Sequence, residues 1–169
     1  MRNAWSSRRV SRETGRRRSR GALLHVVAAA LLLGVFASGC ASIRGGVEGD
    51  FGRAAQQIGS AAVSAQLSLQ VFADGRNTTA ATDTALSDML EEVDQAVSAT
   101  ADREVDTPEQ GDLRAEVLQA ANTVTGQIIR GRDIVAGVGG QPELTTVAAE
   151  LGRAGTELLA LGDRLEAAG

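Results

Sequence analysis

The chain has no lysine or tyrosine, and its cysteine, histidine and tryptophan occur once each, at Cys40, His25 and Trp5. After residue 40 none of these five side-chain types remains. This segment therefore has no histidine base, no Schiff-base lysine and no thiol nucleophile. Cysteine–histidine zinc sites and disulfides within one chain are excluded in the same way. We expect a protein that is not an enzyme and binds no cofactor or metal.

Charge divides the chain into two unlike parts. Of the 17 basic and 21 acidic residues, eight arginines and one acid lie in residues 1–39. Nine arginines and twenty acids follow, so residues 40–169 carry a net charge of −11. Nucleic-acid binding requires clustered Lys and Arg, so we expect no nucleic-acid partner. Anionic lipid head groups should also repel this part of the chain.

The basic part is followed by an apolar run, Gly21–Cys40, which ends in the only cysteine. A basic region, an apolar run and small residues before a cleavage site describe a secretory signal peptide. The run is short for a spanning helix, which needs about 20 apolar residues. The sequence therefore predicts a signal peptide over 1–39. The general secretory route is favoured, and Ser7-Arg8-Arg9 leaves the twin-arginine route open.

The end of this run, Ala37-Ser38-Gly39-Cys40, resembles the lipobox of bacterial lipoproteins, although leucine is more usual than Ala37. The resemblance implies a diacylglyceryl group on the Cys40 sulfur, cleavage between Gly39 and Cys40, and often acylation of the new amino group. Two or three acyl chains hold a protein stably on a bilayer. We therefore expect a lipid-anchored protein at the extracytoplasmic face of the cell membrane. The alternatives are an ordinary cleaved signal and an uncleaved anchor.

Apolar residues after position 46 recur at alternating steps of three and four, a pattern typical of amphipathic helices. Short connections favour antiparallel neighbours, so the predicted fold is all-α, an up-down-up-down four-helix bundle. A helical hairpin that dimerises is the competing architecture. The predicted segments are a lipidated cysteine and tether over 40–46 and helices over about 47–74, 78–101, 108–138 and 142–167, within a bundle domain of 47–169.

The periodic residues define one apolar seam on each helix, and many of them are alanine or glycine, which predicts a thin core of modest stability. The seams are Phe51, Ala55, Ile58, Ala62, Ala65, Leu69 and Phe72; Leu86, Met89 or Leu90, Val93, Ala96 or Val97, and Thr100; Leu113, Val117, Ala120 or Ala121, Val124, Ile128, Gly131, Val135 and Val138; and Leu144, Val147, Leu151, Ala154, Leu158, Leu161 and Leu165.

Turn and capping residues separate the helices. Glycine favours helix ends, whereas Thr, Asn and Pro favour helix starts. The predicted ends are Gly75 and the pair Gly139-Gly140, and the predicted starts are Asn77 or a following Thr, Thr107 with Pro108 and Gln110, and Pro142.

The densest carboxylate group lies between the second and third helices. Its start is similar to an EF-hand loop, but Thr107 stands where glycine is needed and Leu113 where the closing Glu belongs. A di-iron site needs Glu-x-x-His pairs, which are absent. A glycosidase-like carboxylate pair is compatible with the residue types, but no aromatic platform accompanies it. We therefore expect solvated acids at Asp102, Glu104, Asp106, Glu109 and Asp112.

Arginines on the last two helices are candidates for binding an anionic ligand or a partner, although surface arginines usually pair with nearby acids. The sequence thus favours a non-enzymatic envelope lipoprotein that docks a protein partner or self-associates, with no specific binding residues identified. The alternative is a bundle that binds or senses a small ligand. The arginines concerned are Arg114, Arg130, Arg132, Arg153 and Arg164.

Overall fold

The computed structural model describes residues 45–168 and contains only helices and connections in this range. The predicted all-α fold with four helices is therefore confirmed, and all four helices come from one chain. The predicted signal peptide, cleavage site and lipidation at Gly39 and Cys40 lie outside the described residues. The helices are α1 (Gly46–Ala73), α2 (Thr79–Ala101), α3 (Pro108–Val135) and α4 (Gln141–Ala168).

The helix starts follow local hydrogen bonding. Thr78 caps α2, because its hydroxyl accepts a hydrogen bond from the backbone N–H of Ala81 at 3.2 Å. Thr107 caps α3 in the same way, accepting from the N–H of Gln110 at 3.3 Å. Hydrogen bonds from its own backbone N–H and from Thr107 lower the pKa of Glu109 in the first turn of α3.

The ends of α1 and α3 are set by glycines with left-handed backbone geometry. Gly75, with φ +66°, ends α1 as predicted. The prediction for α3 is wrong by three residues, because Gly137, with φ +97°, ends this helix before Gly139-Gly140. The N–H of Val138 then donates to the carbonyl of Asp133 at 2.8 Å, which closes a C-terminal capping motif. Val138, predicted for the apolar seam, is consequently 70% exposed.

The remaining seam residues are buried or half-buried in a single core. Two seam positions each had two candidate residues. At these positions Ala96 and Ala121 are buried, whereas Val97 and Ala120 are only half-buried. The largest completely buried apolar side chains include Phe51, Ile58, Leu69, Leu86, Ile128, Leu144 and Leu151.

Helices α1 and α3 each contact the other three helices, whereas α2 and α4 do not contact each other. Helix α1 makes the most extensive contacts, above all with α4, and is therefore called the central helix. Along α1 and α2 the paired positions run in opposite order: Asp50 pairs with Arg103 at 2.8 Å, and Gln57 further along donates to Glu92 at 2.8 Å. Between α1 and α3 the order is the same. Gln110 near the start of α3 donates to Glu48 at 3.0 Å, and this bond lowers the pKa of Glu48.

Within the α1–α4 contact, two glycine pairs, here called the glycine seam, bring the backbones together: Gly52 with Gly162 and Gly59 with Gly155. A Cβ atom on Gly59 would lie 2.9 Å from the carbonyl oxygen of Gly155, and one on Gly162 would lie 2.8 Å from that of Gly52. The two backbones therefore touch, a distance at which Cα–H groups contact carbonyl oxygens across the interface. A side chain at these positions would force the helices apart.

Candidate functional site

The carboxylates singled out by the sequence are all exposed. Asp102, Glu104 and Asp106 lie in the α2–α3 connection, and Glu109 and Asp112 follow at the start of α3. Within residues 45–168, no three acidic, cysteine or histidine side chains are placed to hold a metal ion. This cluster therefore offers no assembled site in the part of the chain that the structure describes.

The structure separates the arginines instead of assembling them. Arg114 donates to the backbone carbonyl of Arg103 at 3.3 Å. Arg130 lies 4.0 Å from Glu143 of α4, whereas Arg132 binds Asp83 of α2 at 2.8 Å. The two arginines of the Arg130-Gly131-Arg132 sequence therefore face different helices, as a step of two residues around a helix requires.

Arg153 and Arg164 on α4 are both exposed and form no ion pair with any residue in the described range. They differ in their surroundings, because Arg164 lies at a groove between two helices.

One cleft contains converging charges. Between α1 and α2 a cavity of about 370 Å³ includes Asp50, Arg53 and Arg103, with Phe51 in its wall. Both guanidinium groups bind the same carboxylate of Asp50. The charged groups in this cleft are thus already paired with one another. This arrangement is better explained as an ion-pair network that stabilises one end of the bundle than as a ligand site.

A groove with a partly apolar lining lies between α3 and α4 and has a volume of about 390 Å³. We call it the α3–α4 groove. Its floor contains the buried side chains of Leu158 and Leu161, and its walls include the half-buried Ala120 and Ala154. The full set of lining residues is Glu116, Ala120, Thr123, Ala154, Glu157, Leu158, Ala160, Leu161 and Arg164.

Small side chains explain why this groove exists. On α3, Ala121 points into the core and is completely buried, so its neighbour Ala120 lies at the edge facing α4. Ala154 occupies the corresponding edge of α4. Two methyl groups do not fill the space between helices held apart by larger core residues such as Val117 and Leu158. The space that they leave is open along its walls, whereas Leu158 and Leu161 below it are only 3% and 8% exposed.

Charged side chains border the α3–α4 groove. Glu116, Glu157 and Arg164 are all exposed, and no pair among them forms a salt bridge within the described residues. None of the three forms an ion pair with any residue in the range 45–168.

Comparison of the chain with protein-family models, with curated proteins and with solved structures gives no match. Between residues 45 and 168, none of the helices has both the length and the apolar character needed to cross a membrane.

Reasoning from the sequence placed Ala120 and Ala154 on the apolar seams but did not identify the groove between them. It also missed Glu116 and Glu157, which read as ordinary charges on the exposed faces of helices. The sequence carries no clear signal for the groove, since adjacent residues such as Ala61 and Ala62 or Val147 and Ala148 are both buried, whereas Ala120 beside Ala121 is only half-buried.

Proposed function

We propose that this protein is a non-enzymatic bacterial envelope lipoprotein whose helical bundle docks another protein. The observation that carries the proposal is the α3–α4 groove, bordered by Glu116, Glu157 and Arg164, which form no ion pair within the described residues. The residue types after position 40 support a binding role, because the common nucleophiles and bases other than carboxylates and hydroxyls are missing.

The proposal includes an up-down-up-down arrangement of the helices. It is supported by the opposite order of contacts between α1 and α2 and by the glycine seam, in which Gly52 near the start of α1 meets Gly162 near the end of α4. Between α1 and α3 the contacts run in the same order. Glu48 pairs with Gln110 near the starts of the two helices, and Leu69 lies beside Gly131 near their ends, which agrees with a parallel arrangement.

The proposed anchor is lipid on Cys40 after removal of residues 1–39. Helix α1 begins at Gly46, six residues beyond Cys40. An extended chain rises at most about 3.6 Å per residue, so such a tether reaches no more than roughly 20 Å. The bundle would therefore lie close to the extracytoplasmic face of the membrane, with the start of α1 towards the lipid.

Substitution of Cys40 by Ala tests the anchor. We expect the wild-type protein in the membrane fraction, with a mass above that of polypeptide 40–169 because of the acyl groups. Cys40→Ala should leave the membrane fraction or accumulate as the uncleaved precursor, since no thiol remains to carry lipid. Subcellular fractionation with intact-mass spectrometry measures both properties.

The matched control is Ala37→Leu, which restores the more usual first residue of the motif and should retain lipid and cleavage. A Cys40→Ala protein that stayed membrane-bound with the mass of the wild type would contradict the lipid anchor.

A small-ligand function is the second candidate, because an apolar groove that ends at the unpaired Arg164 has the composition of a site for an amphiphilic anion. A 1:1 complex with laurate, accompanied by a rise in the melting temperature of the bundle, would support this second function.

A further inference from the structure

The outward side of α1 carries no charged residue over residues 54–73, which is the longest uncharged stretch within the range 45–168. Ser60, Val63, Leu67 and Gln70 are exposed there. Leu67 is 59% exposed and Val63 is 37% exposed, so this surface holds two of the four large apolar side chains that the described residues expose. We call it, together with the adjoining strip of α4, the α1 face.

The glycine seam extends the α1 face onto α4. Because the two backbones touch, the side chains of Val63 and Gln66 lie against Gly155 and Gly152 of the neighbouring helix. Twenty residues of a helix span about 30 Å, and two touching helices are about 20 Å wide, so the face measures about 600 Å². Two such faces in contact would bury about 1,200 Å², the lower limit for a stable protein–protein interface.

Charges of opposite sign flank the α1 face at the end where α1 begins. On its α4 edge, Asp163 accepts a hydrogen bond from Gln56 of α1 at 3.2 Å. On its α2 edge, Arg53 and Arg103 share the single carboxylate of Asp50, which leaves one positive charge in excess. One edge is therefore acidic and the other is basic.

The acidic and basic edges lie at the same height along the bundle. Gly52 meets Gly162 in the glycine seam, and Arg53 and Asp163 directly follow these two glycines. A two-fold axis parallel to the helices would keep this height and exchange the edges between two copies. The acidic edge of each copy would then meet the basic edge of the other.

The next charges along the α1 face follow the same rule with the signs reversed. Asp88 of α2 lies four residues from Glu92, which accepts a hydrogen bond from Gln57, and Arg153 on the outward side of α4 lies two residues from Gly155 of the glycine seam. Both charges are thus near the height of residue 61 on α1. Both are exposed and form no ion pair within residues 45–168.

This pattern selects a second copy of the chain. Residues 40–169 carry a net charge of −11, so two copies repel each other in most orientations. The two-fold arrangement is an exception, because it brings two uncharged surfaces together and places unlike charges opposite each other along both edges.

We propose that two copies associate through the α1 face about a two-fold axis parallel to the helices, with Asp163 of each copy facing Arg53 of the other. Val63, between the two edges, lies close to the axis. The α3–α4 groove is on the other side of α4 and stays free, so this inference does not depend on the docking function proposed above.

Crosslinking through one added cysteine tests the proposal in membranes from cells that express the full chain. Val63→Cys, treated with a short bismaleimide, should form a dimer of the chain on a denaturing gel. Ile129→Cys is the matched control, because Ile129 is 47% exposed on α3, away from the α1 face, and should crosslink poorly. The chain without an added cysteine is the blank.

Charge exchange in the Val63→Cys background tests the orientation. Asp163→Arg and Arg53→Glu should each lower the crosslinked fraction by about fivefold, because each reverses two symmetry-related contacts. The two substitutions together restore unlike charges across the axis and should recover the original fraction to within about twofold. Melting followed by far-UV circular dichroism checks that the variants remain folded.

Equal crosslinking at positions 63 and 129 would indicate random collision and overturn the proposal. Single charge reversals without effect, or a double variant that crosslinks as poorly as the single variants, would overturn the two-fold arrangement. A Val63→Cys chain that crosslinks only to a different protein would overturn the assignment of a second copy.

Discussion

Gly155→Ala is expected to lower the free energy of unfolding by about 1–3 kcal/mol, although alanine favours helices by about 1 kcal/mol over glycine. The added Cβ atom would lie 2.9 Å from the carbonyl oxygen of Gly59 and 2.7 Å from a methyl group of Val63. The carbonyl belongs to the backbone of α1, so relief requires α1 and α4 to separate. Urea unfolding followed by far-UV circular dichroism measures the change, because residues 40–169 contain no Trp or Tyr fluorophore.

Gly126→Ala is the matched control for the glycine seam. Gly126 also lies inside a helix, but no atom lies within 4 Å of the position that its Cβ would occupy. The same substitution should here raise the free energy of unfolding by about 0.5–1 kcal/mol, because only helix propensity changes. A Gly155→Ala protein as stable as Gly126→Ala would show that the two helices are not held in backbone contact.

Ile58→Ala is the second large effect, with an expected loss of about 2–5 kcal/mol. Ile58 is 0% exposed on the central helix, and most of the other buried residues of α1 are alanine or glycine. A thin core has few large side chains, so removal of one creates a cavity that alanine neighbours cannot fill. Proteins typically have a free energy of unfolding of about 5–15 kcal/mol, so this loss is a large fraction of the total stability.

Leu67→Ala controls for the loss of an aliphatic side chain from the same helix. Leu67 is 59% exposed, so its truncation should change the stability by no more than about 0.5 kcal/mol. The stability of each variant is compared with that of the wild type by the urea concentration at the midpoint of unfolding. The comparison requires that the dependence of the free energy of unfolding on urea is the same for all three proteins. Similar midpoints for the two variants would contradict the placement of Ile58 at the centre of the core.

Much of the fold could be predicted because helix formation in this chain depends on local patterns. The seam from Ala55 to Leu69 repeats every seven residues, and the caps at Thr107 and Gly75 rest on hydrogen bonds within one turn. The end of α3 was misjudged since apolar periodicity continues to Val138, whereas the left-handed backbone of Gly137 stops the helix first.

The glycine seam and the α3–α4 groove could not be predicted in this way. Gly52 and Gly59 are seven residues apart, as are Gly155 and Gly162, but whether they meet depends on the register of two helices about 100 residues apart in the chain. The groove depends on a distance between α3 and α4 that larger core residues set. Both features belong to packing between helices, which a periodic pattern on each helix does not determine.

The central claim is that the α3–α4 groove of a membrane-anchored bundle docks a partner, and site-specific crosslinking in cells tests it most directly. A photoreactive residue at Thr123, exposed in the groove, is compared with one at Ser64, exposed on α1. We predict one main product from position 123, absent from position 64, in which mass spectrometry identifies another envelope protein. Equal products from both positions, or crosslinks only between copies of this chain, would contradict the account.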